Sequence, residues 1–333
     1  MNSALVHTLP AGPFRRAQRR HFLLSVALPH LGLLLLPALW PWLWPGVLSQ
    51  GAAAAAIGLG MWYLVGGVGV SVGLHRHFSH RSFEAAPALR WLLGALGSMA
   101  AQGSVVYWVA LHRMHHAASD RPGDPHSPQR QAWDRDSPQP MSRWRAAWQG
   151  HLGWVLAHDV PKPTRYAREL IGDELVRRLG RSYGAWVAAG FVLPALVGWA
   201  WLGGSSGGSL GDWQGALFGA YWGAVVRLAL GHHIIWAINS CCHLVGARPH
   251  PTPDSSRNVA WLALLSWGES WHNNHHAAPT SARFGGGWRQ PDIGWWTVRL
   301  FVALRWARLR PTAPTPIDDD AAKAHRPSAA ERA

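Results

Sequence analysis

Residues 22–44 read FLLSVALPHLGLLLLPALWPWLW, twenty-three positions without a Lys, Arg, Asp or Glu. About 20 helical residues at 1.5 Å each cover the roughly 30 Å hydrocarbon core of a bilayer, so this stretch is long enough to cross one. That limits the fold, because in lipid only a helix or a closed barrel satisfies its own backbone. Residues 51–74 make a second such stretch, rich in the Gly and Ala that let helices approach closely. Two more follow at 183–203 and 213–238. The expected fold is an all-α integral membrane protein with four transmembrane helices in two hairpins. No A-x-A-like cleavage site follows the first stretch, so it reads as a retained anchor.

Charge orients the spans. The chain has a net charge of +14, and of its 31 Lys and Arg only Arg227 falls inside a span. The short turns 46–50 and 204–212 carry none. The N-terminus, the central region 75–182 and everything after 239 therefore share one face, which the positive-inside rule makes cytoplasmic. This accounts for the basic balance without nucleic acid. The expected organisation is a basic cytosolic N-terminus at 1–21, one membrane domain at 22–310 and a disordered Pro/Ala-rich tail at 311–333. The apolar piece 87–109 is expected to lie in the interface or under the spans. A true span there would put the histidines around 112 and those around 75 on opposite faces. Residues 259–268 and 293–306 read as interfacial helices. The adjacent Cys241 and Cys242 support no disulfide framework. An Arg-, Ala- and Gly-rich, Lys-poor composition suggests a GC-rich bacterial source, hence the inner membrane.

Twenty histidines are present, and they are not scattered evenly. HRHFSH at 75–80, HRMHH at 112–116, NSCCH at 239–243 and WHNNHH at 271–276 each stand at the mouth of an apolar segment. Two copies of H-x-x-H-H are beyond chance in a chain of this length. On a helix, positions i, i+3 and i+4 are neighbours. His75, His80, His112, His115, His116, His243, His272, His275 and His276 are therefore candidate metal ligands, with Asn239 one turn before His243. Nine imidazoles exceed the three or four that a zinc site takes, so two ions are expected. Imidazole suits Zn, Cu, Fe and Ni alike. No H-E-x-x-H protease motif occurs, and Glu269 with His272 is the only Glu-x-x-His. Glu269 reads as a carboxylate that orients an imidazole. His7, His21, His30, His126, His151, His158, His250 and His325 read as structural, while His232, His233 and Arg227 inside the fourth span stay ambiguous. Arg76, Arg81 and Arg113 flank the boxes as candidate contacts to an anionic head group, or as positive-inside surface charge.

The boxes HRHFSH, HRMHH and WHNNHH resemble the three histidine boxes of integral-membrane fatty acid desaturases. The flanks GLHRHFSHRSFEA, HRMHHAASDRPGDPHSP, HHIIWAINSCCHLVG and GESWHNNHHAAP are similar to the bacterial branch of the stearoyl-CoA (acyl-CoA delta-9) type. The resemblance covers residues 50–290. It implies four spans under a cytosolic helical cap, a di-iron centre held by the nine histidines, and Asn239 linked through a water. It also implies a kinked acyl tunnel with Gln102, Trp108 and Trp236 on its wall. Where the animal enzymes have Arg-Asp before the second box, Ala110-Leu111 stand here. Ile235 stands where they have Thr. These departures leave the head group open between CoA, the first expectation, and phospholipid or carrier protein. No haem-binding HPGG occurs, so electrons are expected from a separate partner such as ferredoxin, rubredoxin or cytochrome b5 with its reductase.

The expected activity is an O2-dependent insertion of a cis double bond, delta-9 by resemblance, into a saturated acyl chain. Two alternatives remain: a related di-iron hydroxylase or ketolase, and a histidine-rich metal transporter. A transporter would place its ligands near mid-membrane, along a path.

Overall fold

The computed structural model describes residues 8–9, 11–43, 47–129, 141–204 and 212–311. The turn glycines after 204 and the expected tail from 312 lie outside the described residues. Four helices there are long and apolar enough to cross a membrane: α1 (Gly12–Ala38), α2 (Gly51–Ser79), α7 (Tyr183–Leu202) and α8 (Asp212–Leu244). Between them lie α3 (Pro87–Ser98), α4 (Val105–Ala118), α5 (Arg143–Trp148) and α6 (Glu174–Arg181). After them come α9 (His272–Ala277) and α10 (Ile293–Ala303). The long helices carry their large apolar side chains outward: Leu34 is 78% exposed, Leu59 62% and Leu196 55%. In water such a belt would be unfavourable; against lipid it is the expected surface. Where the helices touch, small residues line the seam. A Cβ on Gly198 would stand 2.7 Å from the Gly219 nitrogen, so α7 and α8 meet through glycine.

Residues 87–109 form two helices, neither long enough to span. The chain reverses at 99–104, where Ala101 (φ 55°) and Gly103 (φ 101°) take left-handed backbone. Arg227 holds that reversal from α8. Its guanidinium donates to the carbonyls of Met99 (2.9 Å), Gly190 (3.2 Å) and Gly223 (3.1 Å), so the ambiguous cation of the fourth span is a buried brace. His233 bridges His30 and His151, at 2.9 Å to each.

The fold is mostly helical, as expected, with two short antiparallel pairs added: β1 (Thr8–Leu9) with β3 (Val160–Pro161), and β2 (Phe83–Ala85) with β4 (Ala307–Leu309). One expectation is corrected: residues 259–268 are not an interfacial helix. Beyond a short 3-10 turn at Ala260–Leu262 the segment is a run of turns. Trp267 (φ 58°) and Gly268 (φ 97°) break it. The Trp267 ring is wedged so tightly against α2 that a Cβ on Gly66 would collide with it.

Candidate metal centre

The first box ends α2, and the helix changes pitch to present it. In an α-helix, at about 100° per residue, positions five apart stand about 140° apart. From Trp62 to Ser79 the helix is π-helical, with bonds that stack residues five apart. The His80 amide donates to the His75 carbonyl at 3.1 Å, and both imidazoles reach one site. π-Helical turns are rare and concentrate at functional sites.

The nine candidate imidazoles fall into two groups. Nitrogens of His75, His80, His112, His116 and His275 lie within 4.8 Å of one another, and so do those of His115, His243, His272 and His276. Each H-x-x-H-H box serves both groups. The i and i+4 residues go to one group: His112 and His116 to the first, His272 and His276 to the second. The i+3 residue crosses over, His115 to the second group and His275 to the first. The two sequence asparagines of the third box frame it. Asn273 accepts from the His250 amide at 2.8 Å, and Asn274 donates to the Phe284 carbonyl at 2.8 Å.

The residues fit a pair of ions. The Nε2 atoms of His75 and His275 are 3.1 Å apart, those of His275 and His116 3.1 Å, and those of His243 and His272 3.0 Å. Imidazole nitrogens about 2.1 Å from one ion, at right angles to each other, stand about 3 Å apart. Each neutral ring has one proton, so five converging rings cannot all bond to one another. The Nε2 atoms of His115 and His276 are buried and have no hydrogen-bond partner among the described residues.

Carboxylates hold the opposite nitrogens. His75 Nδ1 donates to Glu269, which also accepts from Ser71 at 2.5 Å. His115 Nδ1 donates to Asp124 (3.0 Å), His243 Nδ1 to Asp120 (2.8 Å) and His276 Nδ1 to Asp254 (2.5 Å). A proton held on Nδ1 leaves the Nε2 lone pair for a metal. The sequence reading placed Glu269 in this role and missed the three aspartates. Asp120 and Asp124 follow the second box closely, so their spacing was visible, but nothing local marks Asp254. Asp254→Ala and Asp124→Ala are expected to weaken metal binding about 10- to 100-fold, read by chelator competition. Unchanged affinity would remove these carboxylates from the design. His126, read as structural, joins His115 and Asp124 in a further group of converging donor atoms, its ring 4.4 Å from His115.

Burial holds His80, His112, His116, His272 and His275 well below the usual imidazole range, in the neutral form that ligates. Burial also pushes Asp120, Asp124, Asp254 and Glu269 upward. Their imidazole partners outweigh it, and all four carboxyls lie below their ordinary values. The linkage sign follows. Below about pH 6.5 the unfolded chain binds protons that these five folded imidazoles refuse, so their contribution to stability is complete above that pH and is lost beneath it. The carboxylates keep their contribution until pH falls through their lower values. Melting temperature and bound metal, titrated from pH 8 to 5, are expected to decline from about 6.5 downward. A flat response to pH 5 would contradict this.

Of the flanking arginines, one is shut away from any head group and two make ion pairs nearer the surface. Arg76, a candidate head-group contact, is fully buried. It donates to Asp292 (2.8 Å) and Ser71 (2.7 Å) and lies over the Phe284 ring. Gly294 gives it room, since a Cβ there would fall on the guanidinium. Gly294→Ala is expected to cost about 3 kcal/mol by disturbing the buried pair, seen as a lowered melting temperature. Arg113 donates to the Phe78 carbonyl (3.0 Å) and pairs with Glu169 (2.7 Å), which Arg81 also reaches at 3.1 Å.

Beside the first histidine group is a cavity of about 500 Å³. Gln102, Trp108, His112, Ile235, Trp236 and Asn239 all line it. Asn239 thus stands on the wall of the cavity that His112 of the first group also lines. The Trp108 ring stacks on His112 at 5.1 Å, and its indole N–H donates to Gln102 at 3.1 Å.

Apolar spanning helices, two histidine groups able to hold metal and an adjoining cavity with a mostly apolar lining define the class: a helical membrane protein with a candidate metal centre beside an apolar cavity. The chain belongs to the fatty acid desaturase family, whose model (Fatty acid desaturase) matches residues 51–327. A hex-5-enoyl-[acyl-carrier protein] acetylenase of Moorena producens (strain JHB) is 39% identical over 301 residues, 89% of this chain and 88% of the relative. An sn-1 stearoyl-lipid 9-desaturase of Synechocystis sp. (strain ATCC 27184 / PCC 6803 / Kazusa) is 34% identical, over 74% of this chain and 69% of its own. Delta-9 acyl-lipid desaturase 2 of Arabidopsis thaliana is 37% identical, over 73% and 70%. The protein is accordingly an oxidoreductase of lipid metabolism.

Proposed function

We propose that this protein inserts a cis double bond at the 9 position of a saturated acyl chain. The observation that carries this reading is the cavity, which runs along Trp236 and Trp108 to His112 and Asn239 beside the histidine groups. The 9 position rests on the names of the plant and cyanobacterial relatives. His75, His80, His112, His116 and His275 would hold one iron and His115, His243, His272 and His276 the other, with Asn239 reaching the centre through a water. When bound, the two irons would supply the O2 chemistry that oxidises an unactivated methylene pair. The overall balance is one –CH2–CH2– unit, O2, two electrons and two protons giving –CH=CH– and two waters. The electrons come from a separate donor protein.

The chain's own residues do the positioning. Trp108, fixed by His112 and Gln102, presses the acyl chain at one point, and Ile235 and Trp236 face it. Holding one C–C pair at the reacting distance is worth several orders of magnitude in rate. The apolar wall binds methylenes and excludes water. We place the histidine centre and both termini on the cytoplasmic face of a bacterial inner membrane, because the basic residues gather there. The two spanning pairs, α1–α2 and α7–α8, form two hairpins beneath a cap built by α3–α6, α9 and α10.

The acetylenase relative favours a second reading, in which the chain oxidises a carbon pair that is already unsaturated. Products separate the two. Expressed with an electron donor in a host lacking delta-9 unsaturates, the protein should yield a cis-9 monoene by mass spectrometry with bond location. An alkyne formed only from a supplied alkene would favour the second reading. Hydroxy or keto products would favour a hydroxylase or ketolase instead.

A further inference from the structure

Trp154 lines the cavity, yet its indole N–H is buried and has no hydrogen-bond partner among the described residues. It stands where a π-helical turn, Gln149–Gly153, runs into a short helix, Trp154–Ala157. As at the first box, such a turn is rare and marks functional sites. The indole ring lies edge-on to His126 and His158, with centroids 5.3 Å from each. His158 is itself held on three sides. Its Nδ1 donates to the Trp154 carbonyl at 3.1 Å, and its Nε2 meets the Tyr107 hydroxyl. Its carbonyl accepts from Gln18 of α1 at 3.0 Å.

An indole N–H donates and never accepts. Buried without an acceptor it is unfavourable, so a partner is expected when the cavity fills. Trp108, also on the wall, already gives its N–H to Gln102. An acyl chain brings one acceptor, the carbonyl oxygen that ester and thioester share, and beyond it only methylenes. Methylenes are alike. Sliding the chain by one carbon trades one of them for another, a change of about fourfold at most. An apolar wall alone therefore singles out no carbon pair beside the metals, whereas one donor to the carbonyl does.

We propose that the Trp154 N–H binds the acyl carbonyl oxygen and so sets the register from which the reacting carbon pair is counted. The chain is then fixed at its carboxyl end by one hydrogen bond, and its methylenes fall into place along the apolar wall. The inference rests on the reading of the cavity as an acyl site, and it holds for an ester and a thioester alike.

The test uses the full chain in nanodiscs, at first without an electron donor so that nothing turns over. Stearoyl-CoA is compared by calorimetry with its thioether, S-octadecyl-CoA, and 1-stearoyl-lysophosphatidylcholine with its octadecyl ether. Each pair differs at the carbonyl alone, and the pair that binds names the source of the chain. In that pair the carbonyl compound is expected to bind the wild type about tenfold more tightly, the worth of one hydrogen bond to a buried donor. In Trp154→Phe the two should bind equally, at the ether's level. Equal binding by the wild type overturns the proposal, as does a preference that survives in Trp154→Phe, or binding by neither pair. Should Trp154→Phe fail to fold, Trp154→Leu takes its place with the same expectation. With electrons supplied, the wild type should oxidise one carbon pair and Trp154→Phe several neighbouring ones, read by mass spectrometry with bond location. A residue that merely supports the wall would lower the yield and leave the position single, and that result also overturns the proposal. If the carbonyl preference behaves as expected but neither protein oxidises the chain, the desaturase reading fails and the carbonyl contact stands.

Discussion

His275→Ala and His276→Ala, adjacent in sequence, are expected to strip different ions. His275 belongs with His75, His80, His112 and His116, and His276 with His115, His243 and His272. The first variant leaves four imidazoles around its ion and the second leaves three, so the second should lose metal more completely. Iron per chain, measured on the purified protein, should fall from two toward one in each. Spectroscopy of the remaining ion should differ between them. Activity should fall more than a hundredfold in both, because the reaction needs the pair; even losing a carboxylate behind a ligand costs 10- to 100-fold. Both variants should still insert and fold, since the spans do not depend on either ring. Two irons retained in His275→Ala would dissolve the assignment of the first group.

Ile235→Trp should affect turnover without touching the metals. Ile235 lines the cavity together with Trp236 and Trp108, and it packs against the main apolar core. Tryptophan there fills cavity space that an 18-carbon chain would occupy. A displacement of about 1 Å at the reacting pair is enough for a loss of about a hundredfold. Stearoyl turnover should drop by about that factor, and shorter chains should be favoured. Iron content and melting temperature should stay near wild type. Unchanged stearoyl turnover would show that the acyl chain does not pass Ile235.

These two variants probe different kinds of information. The four spanning stretches were legible because membrane solvation acts on each helix alone: length and apolarity suffice. The histidine boxes were legible for a related reason, since i, i+3 and i+4 spacing is a property of one helix. The first box was only half legible. H-x-x-x-x-H does not share a face in an α-helix, and nothing in the local residues marks α2 as π-helical from Trp62 to Ser79. Residues 259–268 misled by composition, because the wedge of Trp267 against Gly66 is a contact between segments about 200 residues apart.

By itself the sequence determined the membrane setting, the imidazole donor set and the chemistry those donors suit, because each is written in local composition and spacing. The tertiary structure alone decided how the nine imidazoles divide, which carboxylates stand behind His75, His115, His243 and His276, and that Arg76 is buried under Asp292 and Phe284 instead of facing a head group. It also brought Gln18 over the cavity, by pairing Thr8–Leu9 with Val160–Pro161 across some 150 residues of chain. Those features depend on distances between side chains far apart in sequence, and such distances exist only once the helices have packed.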